Sequence, residues 1–237
     1  MVEPNMATML CYVMTDANLA KEELQSMLTD AVDRSFNSIS VDGAESTSDT
    51  AVLISSQKID STDNDEFNDA LQMVCQGLAG DLVRNGEGTG HVIRVQIDNF
   101  PGSDNDARCL GRHVVNSPLF KCAVSGNDPN IGRLAGAIGS FMGKFFESES
   151  LDNVTLTIGG RDIFAKGKFI LGGDEVEKAL SDHMKEAQLG EVDTFPQHQK
   201  FVEIGIIFEN SDGTGTAAVL GSDLTSEYVS VNADYRS

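Results

Sequence analysis

Strand-like and helix-like apolar patterns alternate along the whole chain, and that interleaving limits the fold more than any other property of the sequence. Ile93, Val95 and Ile97 alternate with Arg94 and Gln96, the two-residue period of a half-buried strand. Leu24, Met27, Leu28, Ala31 and Val32 recur at helical spacing, with Asp16 or Asn18 as the expected cap. Phe67, Leu71, Val74, Leu78 and Leu82 predict the apolar face of a second helix, stopped at Gly86. A buried strand is predicted over 9–14, opening just after Thr8, and two more over 38–42 and 50–54 around a turn at Gly43. Ser103 with Asp106 marks a helix start, and Pro118 its end. Beyond it, 120–124, 154–158, 201–208 and 216–220 read as strands, and 130–146 and 174–188 as helices. This mixed order predicts a layered α/β or α+β architecture.

A chain of 237 residues is long enough for one large domain or two small ones, and neither a low-complexity linker nor an internal repeat divides it. Asp and Glu number 37 against 17 Lys and Arg, a formal charge of -20. Such a surface repels phosphates, so neither nucleic acid nor an anionic membrane is an expected partner. The acidity itself reads as a solvated surface. The opening Met1–Asn5 stretch has no basic region and no apolar core, so it is not a secretory signal. With no apolar run near the roughly 20 residues of a spanning helix, a soluble protein is expected. Cys11, Cys75, Cys109 and Cys122 lie far apart in apolar stretches and are read as buried and reduced.

Most of the suggestive clusters have ordinary readings. The glycines of Gly86-Glu87-Gly88-Thr89-Gly90 have phosphate-loop spacing, but they follow a helix and precede a strand, the reverse of what phosphate capture needs. Gly132, Gly136, Gly139 and Gly143 predict close helix packing. The acidic run 60–69 lacks the order of a calcium loop and reads as a solvated helix start. His91, His113, His183 and His198 are scattered without metal-ligand spacing, and no serine sits in a nucleophile elbow. No metal and no resident cofactor is expected.

Pro4-Asn5-Met6-Ala7-Thr8-Met9-Leu10 is different, because a small residue precedes a threonine that opens an apolar strand. Thr8 there is an ordinary β-branched residue, or else a nucleophile. In the second reading its hydroxyl attacks the Ala7 carbonyl, the chain breaks between Ala7 and Thr8, and the freed amine serves as the hydroxyl's own base. Such a residue needs no separate histidine.

That segment resembles the self-cleavage sequence of the ornithine acetyltransferase family of arginine biosynthesis, also called the glutamate N-acetyltransferases. Further blocks follow in the family's order: Thr15-Asp16-Ala17, Ser35-Phe36-Asn37, Val41-Asp42-Gly43, 46–50, Gly86-Glu87-Gly88, Asn116-Ser117-Pro118-Leu119 and Asp128–Arg133. The ending, 221–225 and then Val231 through Ser237, is similar to the family's carboxyl terminus. Ser48 and Ile131 depart from residues usual there.

The resemblance implies the family's layered α/β fold, of amino-terminal-nucleophile type. It also implies a ping-pong transfer in which Thr8 takes acetyl from N-acetylornithine and gives it to glutamate, with acetyl-CoA as a possible further donor. Glu87, Asn232 and Ser237 match the positions that contact the amino-acid substrate, Glu87 for its ammonium and the other two for polar groups. By resemblance residues 1–7 are the end of an α piece and 8–237 a β piece, one β-chain-like unit. The rest of the α half, with its oxyanion-hole Thr-Gly pair and a lysine motif near the cut, precedes the cleavage point in the family. That half is the expected partner, in αβ heterodimers assembling into a heterotetramer. The cytoplasm is the default compartment, with a mitochondrial or plastid matrix as the alternative. Two other readings stand beside the acetyltransferase: an inactive β fragment that only binds ligand or partner, and an amidohydrolase or aminopeptidase using the same self-made nucleophile.

Overall fold

The computed structural model describes residues 9–44, 48–60, 63–170, 172–190, 198–209 and 212–234. It has a mixed α/β fold, and the chain divides into two compact units, Met1–Leu82 and Val83–Ser237.

In the first unit, β1 (Leu10–Asn18) runs parallel to β3 (Thr50–Asp60), from Leu10 opposite Thr50 to Thr15 opposite Ser55. Parallel neighbours need a crossover, and α1 (Lys21–Asp33) supplies it, followed by a 3-10 turn at Phe36–Ser38 and the short β2 (Ile39–Ser40). The register shifts between Thr15 and Ala17, where the Ser55 hydroxyl donates to the Ala17 carbonyl and Gln57 takes a φ of 54°. α2 (Asn64–Arg84) begins where the Asp63 carboxylate accepts the amides of Asp65 and Glu66, each at 3.0 Å, so part of the acidic run is a helix start. Gln72 ties α2 to Asp30 of α1 at 2.9 Å.

Three expectations change here. α1 starts after Ala20, whose amide is held by Glu23 at 3.2 Å, not at Asp16 or Asn18, because β1 runs on through both residues. The strand predicted as buried is buried on one face only: Cys11 and Ala17 are covered, while Leu10, Tyr12 and Met14 are exposed. The covered stripe of α2 is Leu71, Cys75 and Ala79, spaced by four, and Val74 and Leu78 lie outside it.

In the second unit the strands line up as β9-β4-β8-β5-β6-β7. β4 (Val92–Phe100) lies parallel to β8 (Val202–Phe208) and antiparallel to β9 (Gly215–Ser222). β5 (Val154–Ile158) joins the other side of β8, then β6 (Arg161–Ala165) and β7 (Lys168–Phe169) extend the sheet. α3 (Asp104–Val115) starts in a reciprocal box of Ser103 and Asp106, as the sequence predicts, and packs on β4 and β9. Gly111 of α3 permits that approach, since a Cβ there would stand 2.5 Å from Val219 Cγ2. α5 (Ile131–Phe145) and α6 (Gly173–Ala187) match expectation, and Ile97, Leu110, Leu134 and Ile206 are among the fully buried core side chains.

The predicted strand 120–124 is instead part of α4 (Pro118–Ser125). Pro118 occupies its first turn, where a missing amide costs nothing, so this proline starts a helix and does not merely end one. Glycines 136, 139 and 143 face open space rather than a packed neighbour, so the packing expected of them is not found. Cys11 and Cys75 are buried, but Cys109 is half-buried and Cys122 exposed; all four are free thiols. Among the described residues no helix is long and apolar enough to cross a membrane.

Candidate active site

Glu87 sits on the turn between α2 and β4. Gly86 donates to Val83 O and Thr89 to Gly86 O, each at 3.1 Å, which presents the Glu87 side chain to solvent. Gly88, at a φ of 62°, lies directly on α7 (Ser226–Asp234): a Cβ there would stand 2.3 Å from the Tyr228 nitrogen. Thr225, just before α7, fastens the contact. Its hydroxyl donates to Gly88 O at 2.6 Å and accepts the Tyr228 amide at 3.1 Å.

Below this contact lies a buried polar group that sequence reasoning missed. Asp223 accepts the Gly90 amide on Oδ1 at 2.9 Å and faces His91 Nδ1 with Oδ2 at 2.8 Å. The two side chains are 0% and 1% exposed. His91 Nε2 lies 3.1 Å from Asn127 Oδ1. The backbone repeats the join, Asp223 donating to His91 O at 3.1 Å and Leu189 to Gly90 O at 2.8 Å. In the sequence His91 is one of four scattered histidines, and its partner stands 132 residues away. The available signal was a histidine opening a strand as apolar as β4.

Asn232 lies one turn beyond Tyr228 on the exposed α7, its Nδ2 donating to Tyr228 O at 3.0 Å. The fold therefore sets the turn carrying Glu87 against the first turn of the helix carrying Asn232. Ala7, Thr8 and Ser237 lie outside the described residues. The first described residue after Thr8 is held on both sides: Met9 N donates to Asp49 Oδ1 and Met9 O accepts from Thr50, each at 2.8 Å.

Two other histidines have structural surroundings. Burial pushes His183 below its ordinary value, partly offset by Glu203 and Glu186, and its Nε2 accepts the Glu203 amide at 3.1 Å. Burial, then the Lys144 charge, likewise lowers His113. Among the described residues no group of three His, Cys, Asp or Glu side chains could hold a metal ion.

The sequence model of the ArgJ family matches residues 1–237. The chain belongs to the ArgJ family. It is 38% identical over 99% of its length to the arginine biosynthesis bifunctional protein ArgJ of Dehalococcoides mccartyi, strain CBDB1, covering 54% of that protein. It is 36% identical to the glutamate N-acetyltransferase Oat2 of Streptomyces clavuligerus, covering 56% of it. The chain thus spans about half the length of the curated relatives it matches. A crystal structure of the ArgJ protein of Bacillus halodurans aligns with a TM-score of 0.80 at 30% identity, over 96% of this chain and 100% of the solved one.

Proposed function

We propose that this ArgJ-family chain is the nucleophile-bearing half of an acyltransferase of arginine biosynthesis, moving acetyl from N-acetylornithine to glutamate. The observation that carries the reading is the seating of the Glu87 turn on the helix that bears Asn232, in a chain matched along its whole length to the family. Relatives named for arginine biosynthesis and for glutamate N-acetyltransfer support the choice of substrates.

Thr8 Oγ first attacks the Ala7 carbonyl, the acyl group moves from nitrogen to oxygen, and water hydrolyses the ester. Residues 1–7 then end in a carboxylate, and Thr8 carries a free amine. That amine takes the hydroxyl proton as Oγ attacks the acetyl carbonyl of N-acetylornithine. The amide C–N bond breaks, the leaving nitrogen takes the proton, and ornithine departs from an acetyl-threonine ester. The amine of glutamate attacks that ester, N-acetylglutamate forms, and Thr8 recovers its hydroxyl. While N-acetylornithine is bound, the Glu87 carboxylate pairs with its side-chain ammonium, and Asn232 and Ser237 hydrogen-bond the polar groups of either amino acid. In the same proposal acetyl-CoA is a second acetyl donor to Thr8.

The oxyanion formed at each attack needs donors, and loss of one costs about 100 to 1,000-fold in such sites. We assign them to an α half that completes the chain in an αβ heterodimer, two of which form a heterotetramer. A solved family chain that this one covers completely, beside relatives twice as long, supports that two-piece arrangement.

The test is intact mass and acetyl transfer of the chain co-expressed with its α half. Loss of residues 1–7, and transfer that Thr8→Ala lowers by more than about 1,000-fold, are expected. An uncut, inactive pair would leave a binding fragment as the better account.

A further inference from the structure

The contact between the Glu87 turn and α7 is held from below by groups that cannot reach a substrate. Asp223 uses both carboxylate oxygens, one on the Gly90 amide and one on His91, and both side chains are withdrawn from water. Both ring nitrogens of His91 face oxygens, Asp223 Oδ2 and Asn127 Oδ1. Asn127 is itself fixed, its Nδ2 donating to Gln188 Oε1 at 3.4 Å and its carbonyl accepting the Ser181 hydroxyl at 3.0 Å. The cluster therefore ties the Glu87 turn to α6, to the α4–α5 turn and to the entrance of α7. A buried carboxylate and imidazole are costly unless each is fully paired, and here each is. Space points the same way: a Cβ at Gly90 would stand 2.9 Å from Asp223 Oδ2, so this glycine lets the backbone come down onto the carboxylate.

We propose that His91 and Asp223 are positioning residues, a buried clamp that fixes Glu87 and Asn232 in register for the amino-acid end of the substrate. The proposal rests on the substrate-binding role given above to Glu87. Neither clamp residue touches substrate. They act by holding the Gly90 amide and, two residues beyond Asp223, the Thr225 hydroxyl that grips Gly88.

Two measurements separate the clamp from the reading beneath it. In amide hydrogen exchange on the full chain, Asp223→Asn weakens a charge-assisted bond to Gly90, and exchange over 86–91 is expected to quicken by about tenfold or more. Unchanged exchange there overturns the clamp, whatever Glu87 does. In the enzyme with its α half, Asp223→Asn is expected to raise KM for the amino-acid substrate by about tenfold with kcat within about twofold. The double variant with Glu87→Gln should then be no worse than Glu87→Gln alone, because residues acting through one another are not additive. Fully additive losses overturn the positioning role. A Glu87→Gln enzyme with an unchanged KM instead sinks the substrate-binding reading, and the clamp's purpose with it, even where exchange has quickened. Should Asp223→Asn fail to fold, Thr225→Val removes the two outer bonds, to Gly88 O and from the Tyr228 amide, and carries the same expectations in direction.

Discussion

The two units differ in how they cover the apolar residues of their principal strands. In the second, β8 alternates between buried and half-buried residues, and Ile93, Val95 and Ile97 of β4 are 0% exposed. In the first, Leu10, Tyr12 and Met14 of β1 are 55%, 58% and 76% exposed, and Ile54 and Ile59 of β3 are also open. Parallel strands are normally covered on both faces, and two strands alone are marginal. The second unit closes its own core, whereas the first presents an apolar face of the kind that ordinarily lies under another layer.

Three experiments would break or sharpen this contrast. The largest effect is expected at Phe100, fully buried and packed edge-to-face on Phe146 at 4.8 Å and Phe208 at 5.1 Å. Phe100→Ala should cost about 3–5 kcal/mol in denaturant unfolding. A loss under about 1 kcal/mol would mean that the second unit's core is not closed.

A smaller effect should appear on acidification, and its histidine part belongs to the second unit, since all four histidines lie beyond residue 82. Burial lowers His183 in the folded state, so between its folded value and about 6.5 the native chain binds fewer protons than the unfolded one. Stability then rises with pH through that window and falls on acidification below about 6.5. Unfolding midpoints at several pH values should show a shallower acid loss in His183→Gln than in the parent. An identical slope would remove His183 from the account.

The smallest effect belongs to the first unit. Tyr12→Ser should change the stability of the chain by itself within about 0.5 kcal/mol, as at exposed sites generally. The same variant should weaken capture of the α half in a pull-down. A cost above about 1 kcal/mol in the chain by itself would show that the β1 face is already packed, and the contrast would fail.

The strands and helices with strong periods were legible from residues alone: β4, β5, β8, β9, α3, α5 and α6. What escaped has a physical reason. A five-residue apolar run such as 120–124 has no period long enough to separate strand from helix, and only the placement of Pro118 could have decided it. β6 and β7 mix charged with apolar residues at the sheet's far edge, and α7 buries none of its residues, so neither carried a pattern. Of the candidate site, Glu87 and Asn232 were reachable only through family resemblance. His91 and Asp223 were not reachable as a pair at all, because nothing local in either residue announces a partner so distant in the chain.

The order of strands in the second unit has a consequence for how the protein is made. β4 is an interior strand of its sheet, yet its neighbours β8 and β9 begin at Val202 and Gly215. A ribosome adding about 5–20 residues per second has finished β4 several seconds before either neighbour exists. During that interval Ile93, Val95 and Ile97 belong to a strand with no ladder, on a nascent chain that α3 can shield only in part. Such long-range pairing folds slowly, and the acidic surface that identified no ligand gains a second reading: the repulsion that keeps unfinished copies apart on a crowded polysome.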